Sequence, residues 1–180
     1  WSPQHSNKAV NPLKLMPSSA MFDFCRDHLD VTVLGLLQAD SDGNVNVSKK
    51  GPGPVNYIGP GGFIDLVSCA KSIVFIGAWN AKGEMAVEGG RLLIRKRGIP
   101  KFVEHVDEVT FNGREAVKRG QTVYYATNVG IFRLTEGGIE LWRRVPGVDV
   151  RRDIVEASPA RLVIPEGDIP EVDASIMTGE

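Results

Sequence analysis

The sequence predicts an α/β fold in which a mostly parallel sheet, flanked by helices, is extended by added antiparallel strands. Three observations point there. The run Val31-Thr-Val-Leu-Gly-Leu-Leu-Gln is apolar almost throughout, as in a parallel strand covered on both faces. A helical pattern over residues 63–70 follows a glycine turn and returns on a short connection to a second apolar run at 72–77, giving the strand–helix–strand alternation of an α/β sheet. Beyond these, residues 91–97, 101–106, 122–127, 129–134 and 139–143 read as strands divided by glycine turns, in antiparallel style. Asn128 and Gly137-Gly138 mark two of the turns.

The remaining elements follow in chain order. Pro3, Pro12 and Pro17 make residues 1–17 an irregular leading segment. Ser18 or Ser19 then caps a short helix through about His28. After the first strand, Asp40-Ser-Asp-Gly-Asn forms a turn. Val45 and Val47 alternate with Asn44, Asn46 and Ser48, so a short strand places two amides and a hydroxyl on one face. Residues 49–62 are a loop rich in glycine and proline. Pro146-Gly147 breaks the last strand, and Asp149 caps a helix through about Ala157. Residues 18–165 therefore read as one domain, while 166–180, acidic and poor in large apolar groups, read as a mobile tail.

Composition narrows the function. The 180 residues, 42% hydrophobic, can bury a full core, and 21 basic against 22 acidic side chains leave a net charge of −1. Such a balance gives no general affinity for nucleic acid or an anionic membrane, so an anionic ligand must be held by local geometry. Cys25 and Cys69 lack metal-site spacing and sit among apolar residues, as expected of reduced, buried thiols in a cytoplasmic protein. No apolar run reaches the roughly 20 residues of a membrane span, and no signal sequence opens the chain. Trp1-Ser-Pro-Gln-His-Ser reads as a cut end, with part of the same functional unit expected upstream.

Residues 59–71, Gly-Pro-Gly-Gly-Phe-Ile-Asp-Leu-Val-Ser-Cys-Ala-Lys, join a glycine turn directly to an amphipathic helix. Bare backbone N–H groups at Gly61 and Gly62 and the positive end of the helix dipole suit an oxyanion or a phosphate. The plainer alternative is a tight turn and nothing more.

In order along the chain, Val31-Thr-Val-Leu-Gly, Asp42-Gly-Asn-Val-Asn-Val-Ser, Gly59-Pro-Gly-Gly-Phe-Ile-Asp, Lys101-Phe-Val-Glu-His-Val, Val109-Thr-Phe-Asn-Gly, Glu140-Leu-Trp and Pro146-Gly-Val-Asp resemble the C-terminal part of the family I coenzyme A transferases. The resemblance covers about Phe22 to Asp173 and is closest to the acetate or propionate CoA-transferase and 3-oxoacid CoA-transferase types. It implies the CoA-transferase architecture, incomplete at its N-terminal side. It also implies transfer of CoA from an acyl-CoA to a small carboxylic acid through a glutamyl-CoA thioester. A nucleophilic carboxylate meets the chemical need, and each addition passes through an oxyanion that rigid backbone donors stabilise. By the same resemblance Gly59, Gly61 and Gly62 contribute oxyanion and CoA contacts, and coenzyme A is substrate with no covalently held cofactor. The family's glutamate lies in a Glu-x-Gly motif upstream of the matching segment, whereas no glutamate precedes Glu84 here. Glu84, Glu88 and Glu104 lie downstream of that position and read as solvated carboxylates. An upstream half or a companion subunit is therefore implied, with oligomeric assembly and a cytoplasmic setting, or a mitochondrial matrix setting in a eukaryote.

Asn44 and Asn46 can hydrogen-bond the pantetheine amides or the substrate carboxylate, or simply form a turn and an exposed strand face. Lys49 and Lys50 can meet the 3′-phosphate or pyrophosphate of CoA, or remain solvated. Asp65 and Lys71 are explained by the helix dipole. His5, His28 and His105 lack partners at ligand spacing, so no metal site is expected. Trp79 and Trp142 are not interleaved with basic residues as in base-stacking proteins and read as core or interface packing. Two other functions compete. A non-catalytic module that binds CoA or phosphate, or serves assembly, would keep this fold without the chemistry. A sugar-phosphate isomerase would explain the glycine loop but not the Asp-Gly-Asn-Val-Asn and Pro-Gly-Val-Asp segments.

Overall fold

A computed structural model describes residues 14–178 apart from Pro52 and Val55. The first 13 residues of the expected leading segment, His5 included, lie outside the described residues. The described chain forms helix α1 (Ser18–His28) and strands β1 (Val31–Gly35), β2 (Gln38–Asp40) and β3 (Val45–Asn46), then helix α2 (Phe63–Cys69) and strand β4 (Ser72–Ile76). Short strands β5 (Asn80–Ala81), β6 (Glu84–Glu88), β7 (Arg91–Lys96), β8 (Ile99–Pro100) and β9 (Phe102–Val103) precede helix α3 (Gly113–Lys118). Strands β10 (Thr122–Ala126), β11 (Gly130–Thr135) and β12 (Gly138–Arg144), a π-helical turn (Val150–Val155) and α4 (Ser175–Thr178) complete it.

The main sheet has five strands in the order β1-β4-β10-β11-β12. β1, β4 and β10 are parallel, and β11 and β12 add antiparallel strands, so the expected α/β class with antiparallel additions is found. A three-stranded sheet, β3-β2-β9, lies against it. Between them sits an aromatic core. Phe75 from β4 meets Phe63 of α2 at 5.9 Å, Phe111 at 5.0 Å and Tyr125 at 5.5 Å, and Trp79 packs on Phe102 at 4.5 Å and Phe132 at 5.3 Å. The Tyr125 hydroxyl donates to the Gly43 carbonyl at 2.6 Å, tying the turn after β2 to the main sheet. Because Phe75 is fully buried at the centre of these rings, Phe75→Ala is expected to cost about 3–5 kcal/mol, read from the shift of the urea unfolding midpoint.

Several expectations need correction. The run 31–38 is not one strand covered on both faces: it bends after Gly35, and residues 38–40 enter the smaller sheet. Val31 is 54% exposed, Val33 60% and Ile76 56%, because β1 is an edge strand and among the described residues nothing covers that face. Residues 122–126 pair antiparallel with β11 on one side, as expected, but in parallel with β4 on the other. The expected strand at 101–106 shortens to two residues. Pro17, not Ser18 or Ser19, holds the cap position of α1, and its carbonyl accepts from the Met21 amide at 3.0 Å. Asp149 caps as expected, accepting from the Arg152 amide at 2.7 Å, but the segment winds as a π-helical turn. Cys25 and Cys69 are free thiols, though only half-buried.

Packing also runs past residue 165. Ile169 and Val172 are buried, and Arg144 pairs with Glu171 at 2.7 Å, so the acidic segment to Val172 is part of the domain and no tail begins at 166. Helix α3 was not expected from periodicity, yet Asn112 caps it by accepting from the Glu115 amide at 3.0 Å. Asn-x-x-Glu is a readable capping signal.

Candidate active site: the glycine loop at the carboxyl edge

The loop between β3 and α2 is built outward from Asn46. This residue is fully buried, and its amide nitrogen donates to Gln38 Oε1 at 2.7 Å and the Lys49 carbonyl at 2.9 Å. Its Oδ1 accepts from the Ser48 and Lys49 amides at 3.0 and 2.9 Å. Every hydrogen-bonding position of the side chain is thus used within the protein. Asn44 is committed in part: its Nδ2 donates to Asp40 Oδ2 at 3.1 Å and its Oδ1 accepts from the Gly113 amide at 3.0 Å. Asn46 therefore has no side-chain position left for pantetheine or a substrate carboxylate and positions the loop, whereas Asn44, half-buried, keeps one N–H beyond these bonds.

From this anchor the chain makes a short excursion closed by Lys50 N–H donating to the Asn56 carbonyl at 2.7 Å and Ile58 N–H to the Ser48 carbonyl at 2.6 Å. The Lys49 ammonium lies 5.7 Å over the Tyr57 ring, whose hydroxyl donates to Glu108 Oε2 at 2.9 Å. Lys50 is exposed. The excursion delivers Gly59, Pro60 and Gly61, all exposed, to the start of α2.

Gly61 adopts φ +57°, in the left-handed region, and a Cβ placed there would meet nothing within 4 Å. Only glycine gives this backbone without strain and leaves the space above it open. Gly62 differs: a Cβ there would come within 2.6 Å of Phe22 Cζ, so its glycine admits the close approach of α1. The Phe63 amide is taken by the Pro60 carbonyl at 3.1 Å, while those of Gly61 and Gly62 find no acceptor among the described residues. Phe63 stacks on Phe75 near the end of β4, which sets the start of α2 toward the carboxyl ends of the parallel strands. Open α/β sheets bind ligands at that edge.

Lys101, not singled out from the sequence, also reaches this edge. Its ammonium donates to the carbonyl of Leu36, the residue after β1, at 2.5 Å, and burial lowers its pKa from the usual lysine range. No sequence signal marked it within the expected strand. Lys71, by contrast, pairs with Asp30 at 2.7 Å on the surface, raising its own pKa and lowering that of Asp30. Asp65 is exposed. Glu84 and Glu88 pair with Lys96 and Arg95 at 3.5 and 2.6 Å, and Glu104 is exposed, so all three are surface carboxylates. Trp79 is buried in the core, while Trp142 meets Tyr124 at 5.3 Å and Arg143 at 4.9 Å. Among the described residues no His, Cys, Asp or Glu group is arranged for a metal, and no helix is long and apolar enough to cross a membrane.

Comparison with known proteins adds to this geometry. The chain is 37% identical over 163 residues to caffeate CoA-transferase of Acetobacterium woodii, covering 88% of the chain and 31% of that protein. It is 37% identical over 151 residues to the acetate CoA-transferase YdiF of Escherichia coli, covering 82% and 28%. The crystal structure of the acyl-CoA transferase YdiF apoenzyme from Escherichia coli O157:H7 superposes with a TM-score of 0.85 at 33% identity over 93% of this chain and 32% of that one. The chain belongs to the family I coenzyme A transferases. It spans about 31% of the length of the caffeate CoA-transferase. A second YdiF structure, described as a thioester complex with CoA, matches with a TM-score of 0.84. Rhodococcus jostii IpdAB shares the fold at 20% identity and a TM-score of 0.66. No protein-family model matches the chain.

Proposed function

We propose that this chain supplies the glycine-loop oxyanion site and coenzyme A contacts of an acyl-CoA:carboxylate CoA-transferase that works through a glutamyl-CoA thioester. The observation that carries the reading is Gly61: a left-handed, exposed glycine with open space above its amide, next to the start of α2 at the carboxyl edge of a parallel sheet. An addition to a thioester or anhydride carbonyl places negative charge on oxygen, and fixed amide dipoles stabilise it without reorganising. Gly61 and Gly62 are the donors in this reading, and Gly59 shapes the approach. Lys50, which is exposed, and Lys49, once its ammonium leaves the Tyr57 ring, supply charge for a CoA phosphate.

The nucleophile must come from elsewhere, since no glutamate precedes Glu84. The exposed apolar face around Val31, Val33 and Ile76 is where a further segment or subunit packs in this proposal, because parallel strands are ordinarily covered on both faces. The lack of any glutamate before Glu84, and so of the motif upstream of the glycine loop, also favours a second reading, a CoA-binding or assembly module without turnover. The deciding experiment compares this chain with a protein extended to include such a segment. Weak CoA binding by the chain alone, and acyl-CoA-to-acetate transfer only by the extended protein, is expected. Failure of both to bind CoA would refute the proposal, and binding without transfer by the extended protein would favour the module.

A further inference from the structure

Away from the glycine loop, β7 and the π-helical turn enclose a cleft of about 490 Å³ lined by Arg95, Arg97, Arg152, Asp153 and Gly147 together with the backbone of β7. Its centre is Asp153, whose side chain is only 4% exposed. Arg152 grips this carboxylate with a two-pronged contact, Nε to Oδ1 at 2.8 Å and Nη2 to Oδ2 at 2.7 Å. Arg97 stands 3.8 Å from the same carboxylate and donates to the Arg152 carbonyl at 2.7 Å. Asp153 also accepts from the Asp149 amide at 3.0 Å, which ties the cluster to the cap of the turn. Arg95 completes the wall, its guanidinium held by the exposed Glu88 at 2.6 Å.

Two guanidiniums thus meet the buried carboxylate, Arg95 is held by Glu88 at the rim, and Asp149 acts on Arg152 from the cap of the turn, so the residues that line the cleft carry three guanidiniums against Asp153 alone. The excess is positive, and the buried carboxylate fixes the orientation of two cations rather than cancelling the wall. We propose that this cleft is a phosphate-binding site. Guanidinium forks match phosphate oxygens two at a time, and arginines held in place beforehand lose little freedom on binding. The volume suits a nucleotide-sized group. The site does not depend on the CoA-transfer reading; its assignment to the phosphates of coenzyme A does, and free inorganic phosphate or pyrophosphate is the other source.

The test is calorimetric titration of this 180-residue chain with pyrophosphate, CoA and pantetheine, the last lacking every phosphate. Arg95→Ala leaves the Asp153 network intact and is expected to weaken pyrophosphate and CoA binding about tenfold while sparing pantetheine. Glu88→Gln frees Arg95 and is expected to tighten both, a gain that misfolding cannot produce. Arginine-dependent pyrophosphate binding that CoA fails to displace keeps the site and assigns it to free phosphate. Absence of pyrophosphate binding, or binding indifferent to both substitutions, overturns the site. CoA binding that persists unchanged in Arg95→Ala overturns the assignment to coenzyme A while leaving the transferase reading intact.

Discussion

Gly61→Asn, placed in a transferase long enough to include the catalytic glutamate, is expected to lower kcat at least about a hundredfold while changing folding stability by about 1 kcal/mol or less. Asparagine tolerates the left-handed backbone that Gly61 adopts at φ +57°, so strain is small. Its side chain would fill the space that is open within 4 Å of the Cβ position, above the amides proposed to bind the oxyanion. A hundredfold loss corresponds to about 2.7 kcal/mol of transition-state stabilisation, well beyond the folding effect. Steady-state kinetics and urea unfolding on the same preparation separate the two. An equal loss of kcat and stability, or unchanged kcat, would sink the oxyanion role of this loop.

The second large effect is structural. Asn46→Ala removes four hydrogen bonds at a fully buried position and leaves the Ser48 and Lys49 amides without their acceptor. Stranded buried donors are costly, and a loss of about 3 kcal/mol or more is expected by urea unfolding. Asn46→Asp is informative as a companion. It restores the acceptor for the two amides but sets a carboxylate against Gln38 Oε1 and the Lys49 carbonyl, so it should recover little. A loss below about 1 kcal/mol in both variants would contradict the anchoring role. Because Asn46 fixes the stem of the excursion that presents Gly59 to Gly61, the same substitutions should also weaken CoA binding.

The comparison of these two positions shows how far the sequence could be read. The turn at Gly61 was legible because glycines directly before a helical pattern mark a tight turn into a helix wherever the helix points. Asn46 was not, since its alternation with Val45 and Val47 places an amide on a strand face without saying what meets it. Gln38, eight residues earlier, and the amides of the following turn absorb it. Lys101 escaped notice for a similar reason. Its neighbour is the Leu36 carbonyl, 65 residues away, and no local pattern announces a lysine that caps the end of another strand. Nothing local shows what meets Asp153, which joins Arg152 beside it to Arg97 just after β7.

By itself the sequence determined the α/β class, the main turns and the glycine loop, which arise from residue periodicity, cap residues and glycine placement within about ten neighbouring positions. The family was legible from the resemblance of an ordered series of segments along the chain. Only the tertiary structure decided that β1 is an edge strand with an open apolar face, that residues 122–126 join the sheet in parallel, and that the acidic segment to Val172 is packed. It also decided which amides are occupied and which guanidiniums converge. Coverage of a face and partnership of a polar group depend on segments distant along the chain that meet only when the core closes, so no local pattern encodes them.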